Sequence, residues 1–397
     1  MVTIDQIYSA RERLRNIART TPLNPTKSLG KNIYIKSENL QLTGAFKLRG
    51  AYNKLACLSE EEKARGIIAC SAGNHAQGVA LSATKLGIRS VVCMPATAPI
   101  SKIHATENYG AEVVLVPGSY DDAAAKASEL AQQYGYTFAH PFDDELVIAG
   151  QGTIGIEILE QLPDVEQVVV PIGGGGLISG IAFAIKTLRP CCKIIGVQAA
   201  GAPSMYQSLQ DDTIITLPHV STIADGIAVK RPGELTYAMC KQYVDDVVVV
   251  DDAQIAAAIV TLMEDQKTVA EGAGACAVAA VLSGLVDTTT KKTVCLVSGG
   301  NVDMTTLSRV INRGLVTSGR ICQVAVTITD RPGGLLSLLQ TIAETGANVL
   351  NVTHARRAKN CHVGDCVVSM GLETHNHQHI QQIKEALESA GYEVAFG

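Results

Sequence analysis

The sequence predicts an α/β protein built on doubly wound parallel sheets, followed by a smaller unit of different pattern. Three observations carry this. Short, continuous Val/Ile runs alternate with helical patterns between residues 66 and 300, and strands buried on both faces read as such runs. Glycine-rich turns follow several of these runs, at 71–78, 173–176 and 298–301. From about residue 320 the text changes to alternating strands with two helical patterns between them. At 397 residues the chain exceeds one ordinary core, so two or three domains are expected.

Each element follows in order. MVTIDQIYSARERLRNI is an amphipathic helix with charges throughout, unlike a secretory signal. NIYIK (32–36) and GIIACSA (66–72) read as strands, and HAQGVALSATKLG (75–87) as a helix of small residues. RSVVCMP (89–95) is a strand, ISKIHATENYG a helix and EVVLVP (112–117) a strand. DDAAAKASELAQQYG is a helix with Asp at its N-terminus, where the dipole favours it. A second block begins near 151 and includes VEQVVVPIGGGG (165–176), CKIIGVQA (192–199), DDVVVVDD (245–252) and KKTVCLVSGG (291–300). Two such units meeting at a cleft place a ligand between them, at the carboxyl ends of the strands. Beyond the boundary, ICQVAVTITD, GLLSLLQTIAETG, ANVLNVTHARR, HVGDCVVSMGLET, HIQQIKEALESAG and YEVAFG give β-α-β-β-α-β, the ferredoxin-like order. The expected domains are 1–319 and 320–397, with a small subdomain at about 51–145 set into the first.

Composition excludes some classes. A net charge of −5 offers no basic field for a nucleic-acid backbone. No uninterrupted apolar run reaches about 18 residues, so no membrane span is expected and the cytoplasm is the default. The eleven cysteines are scattered without paired spacing, and Cys70, Cys93 and Cys295 sit in apolar runs, which suggests reduced thiols packed as small hydrophobes.

Four local features carry chemistry. In Gly44-Ala45-Phe46-Lys47-Leu48-Arg49-Gly50, Lys47 is either a solvated side chain or a lysine desolvated against an aromatic ring. The second state loses its proton readily and becomes a Schiff-base nucleophile. Ser71-Ala72-Gly73-Asn74-His75-Ala76-Gln77-Gly78 opens a helix, either as a cap made by Ser71 or Asn74 or as an anion site for a carboxylate. Gly173-Gly174-Gly175-Gly176-Leu177 lets the backbone wrap a phosphate, which the next helix dipole favours. Four glycines are costly for a merely structural turn. Neither GxGxxG nor GxxxxGK[ST] is present there, which weakens nicotinamide and triphosphatase readings. Ser298-Gly299-Gly300-Asn301 adds a hydroxyl at the end of another apolar strand.

In type, order and spacing these motifs resemble the fold-type II pyridoxal-phosphate enzymes over residues about 5–315, and within them the threonine dehydratases (threonine ammonia-lyases) and their serine racemase relatives. The resemblance implies pyridoxal 5'-phosphate carried on Lys47, with Phe46 against its ring and Asn74 on the ring 3-oxygen. Gly173, Gly174, Gly175, Gly176 and Leu177 would hold its phosphate and Ser298 would meet the pyridine nitrogen. Ser71, Gly73, Asn74 and His75 would hold the substrate carboxylate. The implied reaction converts L-threonine to 2-oxobutanoate and ammonia, or L-serine to pyruvate, with Lys47 as the Cα base and another 3-hydroxy amino acid as the alternative substrate. A neutral hydroxyl at the pyridine nitrogen makes a weaker electron sink than an Asp would, which favours prompt elimination.

Racemisation needs a second base opposite Lys47. Serine racemases place Ser before the Gly-Asn of the second motif, whereas this chain has Ala72. Cysteine synthases share the lysine but not the SAGNHAQG text, and a non-catalytic amino-acid sensor would have no use for Lys47. Racemases of this group also bind a divalent cation at positions that here read Gln198, Ala202 and Ser204, so no divalent metal is expected there. Glu271 could help bind a monovalent ion. His375, His377 and His379 read as a solvated loop leading into the last helix, without metal-ligand spacing to a partner. The C-terminal unit, with Asp330-Arg331-Pro332-Gly333-Gly334-Leu335 between its first strand and helix, resembles the ACT domain. That implies an amino-acid effector on Gly333, Gly334, Leu335 and Asn348 where this turn meets a neighbouring copy, and hence a homo-oligomer, a dimer or tetramer. The alternative is a dimerisation module without a ligand.

Overall fold

The computed structural model describes residues 2–26, 29–356, 362 and 364–396. By its internal contacts the chain divides into Met1–Leu307 and Ser308–Gly397. The division falls inside the helix Met304–Thr317, upstream of the 320 boundary expected from the sequence. His377 Nε2 donates to the Thr317 carbonyl at 2.9 Å, and Thr374 to the Gly319 carbonyl at 2.6 Å. These bonds fasten the end of that helix to the later residues.

The first unit opens with the helix Ile4–Leu14, capped reciprocally by Thr3 and Gln6. The strands β1 (Leu23–Pro25) and β2 (Ile33–Ser37) follow. Next come β3 (Ile67–Cys70), β4 (Ser90–Pro95), β5 (Glu112–Val116) and β6 (Thr137–Phe138), which form their own parallel sheet ordered β5-β4-β3-β6. The chain returns with β7 (Gln167–Pro171), β8 (Lys193–Ala199), β9 (Asp246–Val250) and β10 (Thr293–Val297). These join the first two strands in a sheet ordered β1-β2-β10-β7-β8-β9, parallel except for β1. Every residue of β7 and β10 is buried, because helices cover both faces. The described cysteines are unbridged, and Cys70, Cys93 and Cys295 pack in the core; Cys361 lies outside the described residues.

A buried ionic cluster fixes the helix Lys47–Ala56 against the helix Glu145–Gln161. Arg49 donates to Glu38 Oε1 at 2.8 Å and to Glu157 Oε1 at 2.6 Å, and Lys36 donates to Glu157 Oε2 at 2.6 Å. Burial opposes ionisation of Glu38, yet the Arg49 guanidinium holds its carboxyl below the ordinary range. The two helices also approach backbone to backbone: a Cβ at Gly150 would fall 2.6 Å from the Gly50 Cα. Arg49 therefore anchors the turn that carries Lys47, two residues away.

The second unit contains β11 (Ile321–Thr329), β12 (Asn348–Ala355), β13 (Asp365–Glu373) and β14 (Glu393–Phe396), antiparallel in the order β12-β13-β11-β14. The helices Gly334–Glu344 and His377–Ser389 complete it, an arrangement compatible with a ferredoxin-like unit. Val324, Val326, Leu338, Ile342, Val368 and Ile383 form its core. One expectation is corrected in part: His375 and His377 are exposed, but the third histidine is not solvated. His377 opens the last helix, and His379 is buried with Nδ1 accepting from the His375 N–H and Nε2 donating to the Thr345 carbonyl. Both ring nitrogens of His379 are thereby committed. No helix among the described residues is long and apolar enough to cross a membrane.

Candidate active site

A cavity of about 790 Å³ lies in the first unit, at the carboxyl ends of β3, β7 and β10. Its lining brings together Phe46, Lys47, Ser71, Gly73, Asn74, His75, Gly173, Gly174, Gly175, Gly176, Leu177 and Ser298, which sequence reasoning drew from four separate segments. Sheet order is the cause. Because β10 inserts between β2 and β7, the residues after β10 meet the turn before Lys47. Phe46 N donates to the Ser298 carbonyl at 3.1 Å, and Ala45 pairs with Gly299.

Lys47 is the first residue of its helix, and its Nζ donates to the Pro141 carbonyl at 2.7 Å. It stands 5.3 Å from the centre of the Phe46 ring. Burial of the ammonium lowers its pKa to about 8, and Glu271 opposes part of that fall. The side chain is half-buried in the cavity wall, nearer the desolvated of the two states left open by the sequence. Burial, then the Lys47 charge, pushes His75 down to about 3, so its ring is neutral. His75 Nε2 lies 2.9 Å from the Ala139 carbonyl, which fixes the proton on that nitrogen. Its buried Nδ1 is then an acceptor, and it meets no hydrogen-bond partner among the described residues. An acceptor nitrogen does not donate to a carboxylate, so the N–H donors this loop offers are those in the first turn of the helix Asn74–Leu86.

The four-glycine turn joins β7 to the helix Gly176–Leu188, and Gly175 has φ +99°. A Cβ at Gly174 would sit 2.4 Å from the Phe142 ring, so close packing is a second reason for glycine there. First-turn amides of a helix have no intrahelical acceptor, which leaves those of Gly176 and Leu177 open to an anion.

Glu271 is a site residue whose place the sequence did not reveal. Its Oε1 accepts from Asn74 Nδ2 at 2.6 Å, while Asn301 Nδ2 donates to Asn74 Oδ1 at 2.8 Å. Burial, then Asp225, raises the Glu271 pKa to about 7. One Asn74 amide proton is thus spent, and one remains for a ligand. The signal was a lone carboxylate in the apolar stretch AEGAGACAVAA. His140, Pro141 and Phe142 also line the cavity and carried no motif.

The positions compared with a cation site are engaged otherwise. Gln198 accepts from the Tyr206 N–H and donates to the Ile172 carbonyl, and Ser204 donates to the Val229 carbonyl. Ala202 is buried beside them in the chain. In the second unit Gly333 caps its helix with φ +87°, and the Gly334 N–H already donates to the Arg331 carbonyl. Leu335 packs against the core of this unit. Asn348 donates to Glu373 at the opposite end of the sheet from Asp330, so one chain does not bring Asn348 to the Gly333 turn.

Residues 14–299 match the family model described as pyridoxal-phosphate dependent enzyme. The L-threonine ammonia-lyase of Thermotoga maritima is 50% identical over 398 residues, covering 99% of each chain. Among solved structures, a threonine deaminase of Solanum lycopersicum superposes with TM-score 0.74 at 40% identity, covering 78% of this chain and 93% of that one. A maize serine racemase superposes with TM-score 0.75 at 36% identity, covering 80% of this chain and 98% of that one.

Proposed function

The chain belongs to the pyridoxal-phosphate dependent enzymes, and from that membership we propose that it converts L-threonine to 2-oxobutanoate and ammonia, with L-serine, giving pyruvate, as a second substrate. It is a lyase. The observation that carries the reading is the desolvated Lys47 amine in a cavity shared with a four-glycine turn and a neutral His75.

The residues present fit the cofactor. Lys47 offers a primary amine with a lowered pKa, and the helix Gly176–Leu188 opens onto the cavity with unpaired amides for a phosphate. Phe46, Asn74 and Ser298 line the same cavity and would hold the ring, Asn74 through its remaining amide proton and Ser298 through its hydroxyl. When bound, pyridoxal phosphate supplies a conjugated ring that stabilises negative charge at the substrate Cα. Ser71, Gly73, Asn74 and His75 hold the substrate carboxylate through the helix start. The Lys47 amine takes the Cα proton, and burial, which disfavours the ammonium, favours the free base that this step needs. The β-hydroxyl leaves as water by taking up one proton, which balances the Cα proton that Lys47 removes. The released enamine hydrolyses to the 2-oxo acid and ammonia.

A racemase is the competing reading, and Ala72 separates the two. Ala72 lines the cavity and has no proton to move. The wild type is expected to form no D-serine from L-serine while releasing pyruvate, and Ala72→Ser to introduce measurable exchange. Chiral chromatography of the products checks this. Wild-type racemisation at a rate comparable with elimination would overturn the dehydratase reading.

The C-terminal unit is read as an ACT domain that senses an amino acid. The Gly333 turn and Asn348 lie at opposite ends of one sheet, so two copies related by a two-fold axis could pair the turn of one with Asn348 of the other. That supports a homo-oligomer. The family model matches residues 14–299, which supports placing catalysis upstream of the C-terminal unit. Removing residues 320–397 should leave turnover nearly intact and abolish an effector response of about 5–150-fold in affinity. The check is calorimetric titration of the full chain with isoleucine, valine, threonine and serine, beside kinetics of both forms. If none binds and the two forms match in kinetics and oligomer state, the sensor reading fails.

A further inference from the structure

We propose that the C-terminal unit binds a zinc-class divalent metal ion through Asp330, His354 and Cys366. One ligand atom from each lies within 4.8 Å of the other two. The sequence carried no expectation of metal here, since 24 and 12 residues separate the three in turn.

Sheet order assembles them. His354 on β12 pairs across with Val368 on β13, so Cys366 is its diagonal neighbour on the same face. On the other side of β13, β11 ends at Thr329 opposite Asp365, and Asp330 follows directly. The Asp330 N–H donates to the Gly364 carbonyl at 2.9 Å, which holds the turn against the start of β13. His354 Nε2 stands 2.9 Å from Cys366 Sγ, and the Cys366 side chain is rooted in the unit's core. The thiol therefore has a fixed position, while the imidazole and carboxylate approach from the exposed rim.

The donor set selects the ion. Thiolate and imidazole suit Zn²⁺ and its neighbours, whereas Mg²⁺ and Ca²⁺ require several hard oxygens and find one carboxylate. Three protein ligands leave a fourth position for water. Binding displaces one proton, from the Cys366 thiol, into solvent. A metal-free account has an imidazole–thiol hydrogen bond, the Cys366 thiol donating to the Ile328 carbonyl at 3.6 Å, and an Asp330–Arg356 ion pair at 2.9 Å. The metal reading adds a common partner for donor atoms that strand register already gathers within 4.8 Å. The bound ion would clamp Asp330, and with it the turn that opens the helix Gly334–Glu344, to the ends of β12 and β13.

The test is titration of the full-length, metal-stripped protein with Co²⁺ as the spectroscopic stand-in for Zn²⁺. The expected result is one Co²⁺ per chain, a thiolate-to-cobalt charge-transfer band, intense visible bands of a four-coordinate site, and loss of both on adding Zn²⁺. Cys366→Ser should lose the charge-transfer band. His354→Gln, at an exposed position outside the core, should keep its metal-free circular dichroism and melting. Its Co²⁺ affinity should fall by more than the roughly 10–100-fold that loss of an outer-shell partner costs. A wild type without the charge-transfer band, a band that survives in Cys366→Ser, or equal affinity in wild type and His354→Gln would each overturn the proposal.

Discussion

Lys47→Ala is expected to abolish turnover and, with it, the adduct that borohydride traps on the holoenzyme. Loss of a positioned general base alone lowers rates by roughly 10²–10⁴-fold. Here the same amine also holds the cofactor, so the two losses compound. The fold should survive, because the Lys47 Nζ hydrogen-bonds among the described residues to the Pro141 carbonyl alone, and the helix it starts is anchored by Arg49. Oxo-acid assay and circular dichroism on one preparation check both statements. Substantial 2-oxo acid production by the variant would remove Lys47 from the mechanism.

Arg49→Ala should instead destabilise the chain, by about 3–5 kcal/mol, the usual cost of removing one partner from a buried ion pair. Arg49 is 1% exposed and serves two carboxylates, Glu38 and Glu157. Lys36 contacts Glu157, so Glu38 is the group left without a direct ionic partner. The sign with pH follows from its depressed folded pKa. Its contribution is present above the ordinary carboxylate range and is lost as pH falls through the folded value. Urea unfolding of both proteins at neutral pH, followed by acid titration, measures this. A loss below about 1 kcal/mol would mean that the cluster contributes little to stability.

The parallel sheets were legible because doubly buried strands such as Gln167–Pro171 and Thr293–Val297 leave unbroken apolar text. The cofactor-side residues were legible because glycine-rich turns mark where strands end at a ligand. Spatial order was not legible: nothing in the text says that β10 lies between β2 and β7, which is what sets Ser298 beside Phe46. Glu271 was legible only as a group for a monovalent ion; its contact with Asn74, 197 residues away, was not legible, because one carboxylate in an apolar helix start has no motif. His379 escaped for a related reason. Its alternation with His375 and His377 suggested polar solvation, while Thr345 and the His375 backbone satisfy it inside the unit. In the C-terminal unit the order of elements was readable, but not that Asn348 and Gly333 stand at opposite ends of the sheet.

The central claim is elimination from L-threonine by the Lys47 site. One measurement tests it most directly: the products formed when the pyridoxal-phosphate-loaded chain is given L-threonine alone, with 2-oxobutanoate, ammonia and residual threonine quantified together. The account expects 2-oxobutanoate and ammonia in equal amounts, each matching the threonine consumed, with the recovered threonine unchanged in configuration. Threonine epimerised at Cα without oxo acid, or no consumption at all by cofactor-loaded protein, would contradict it.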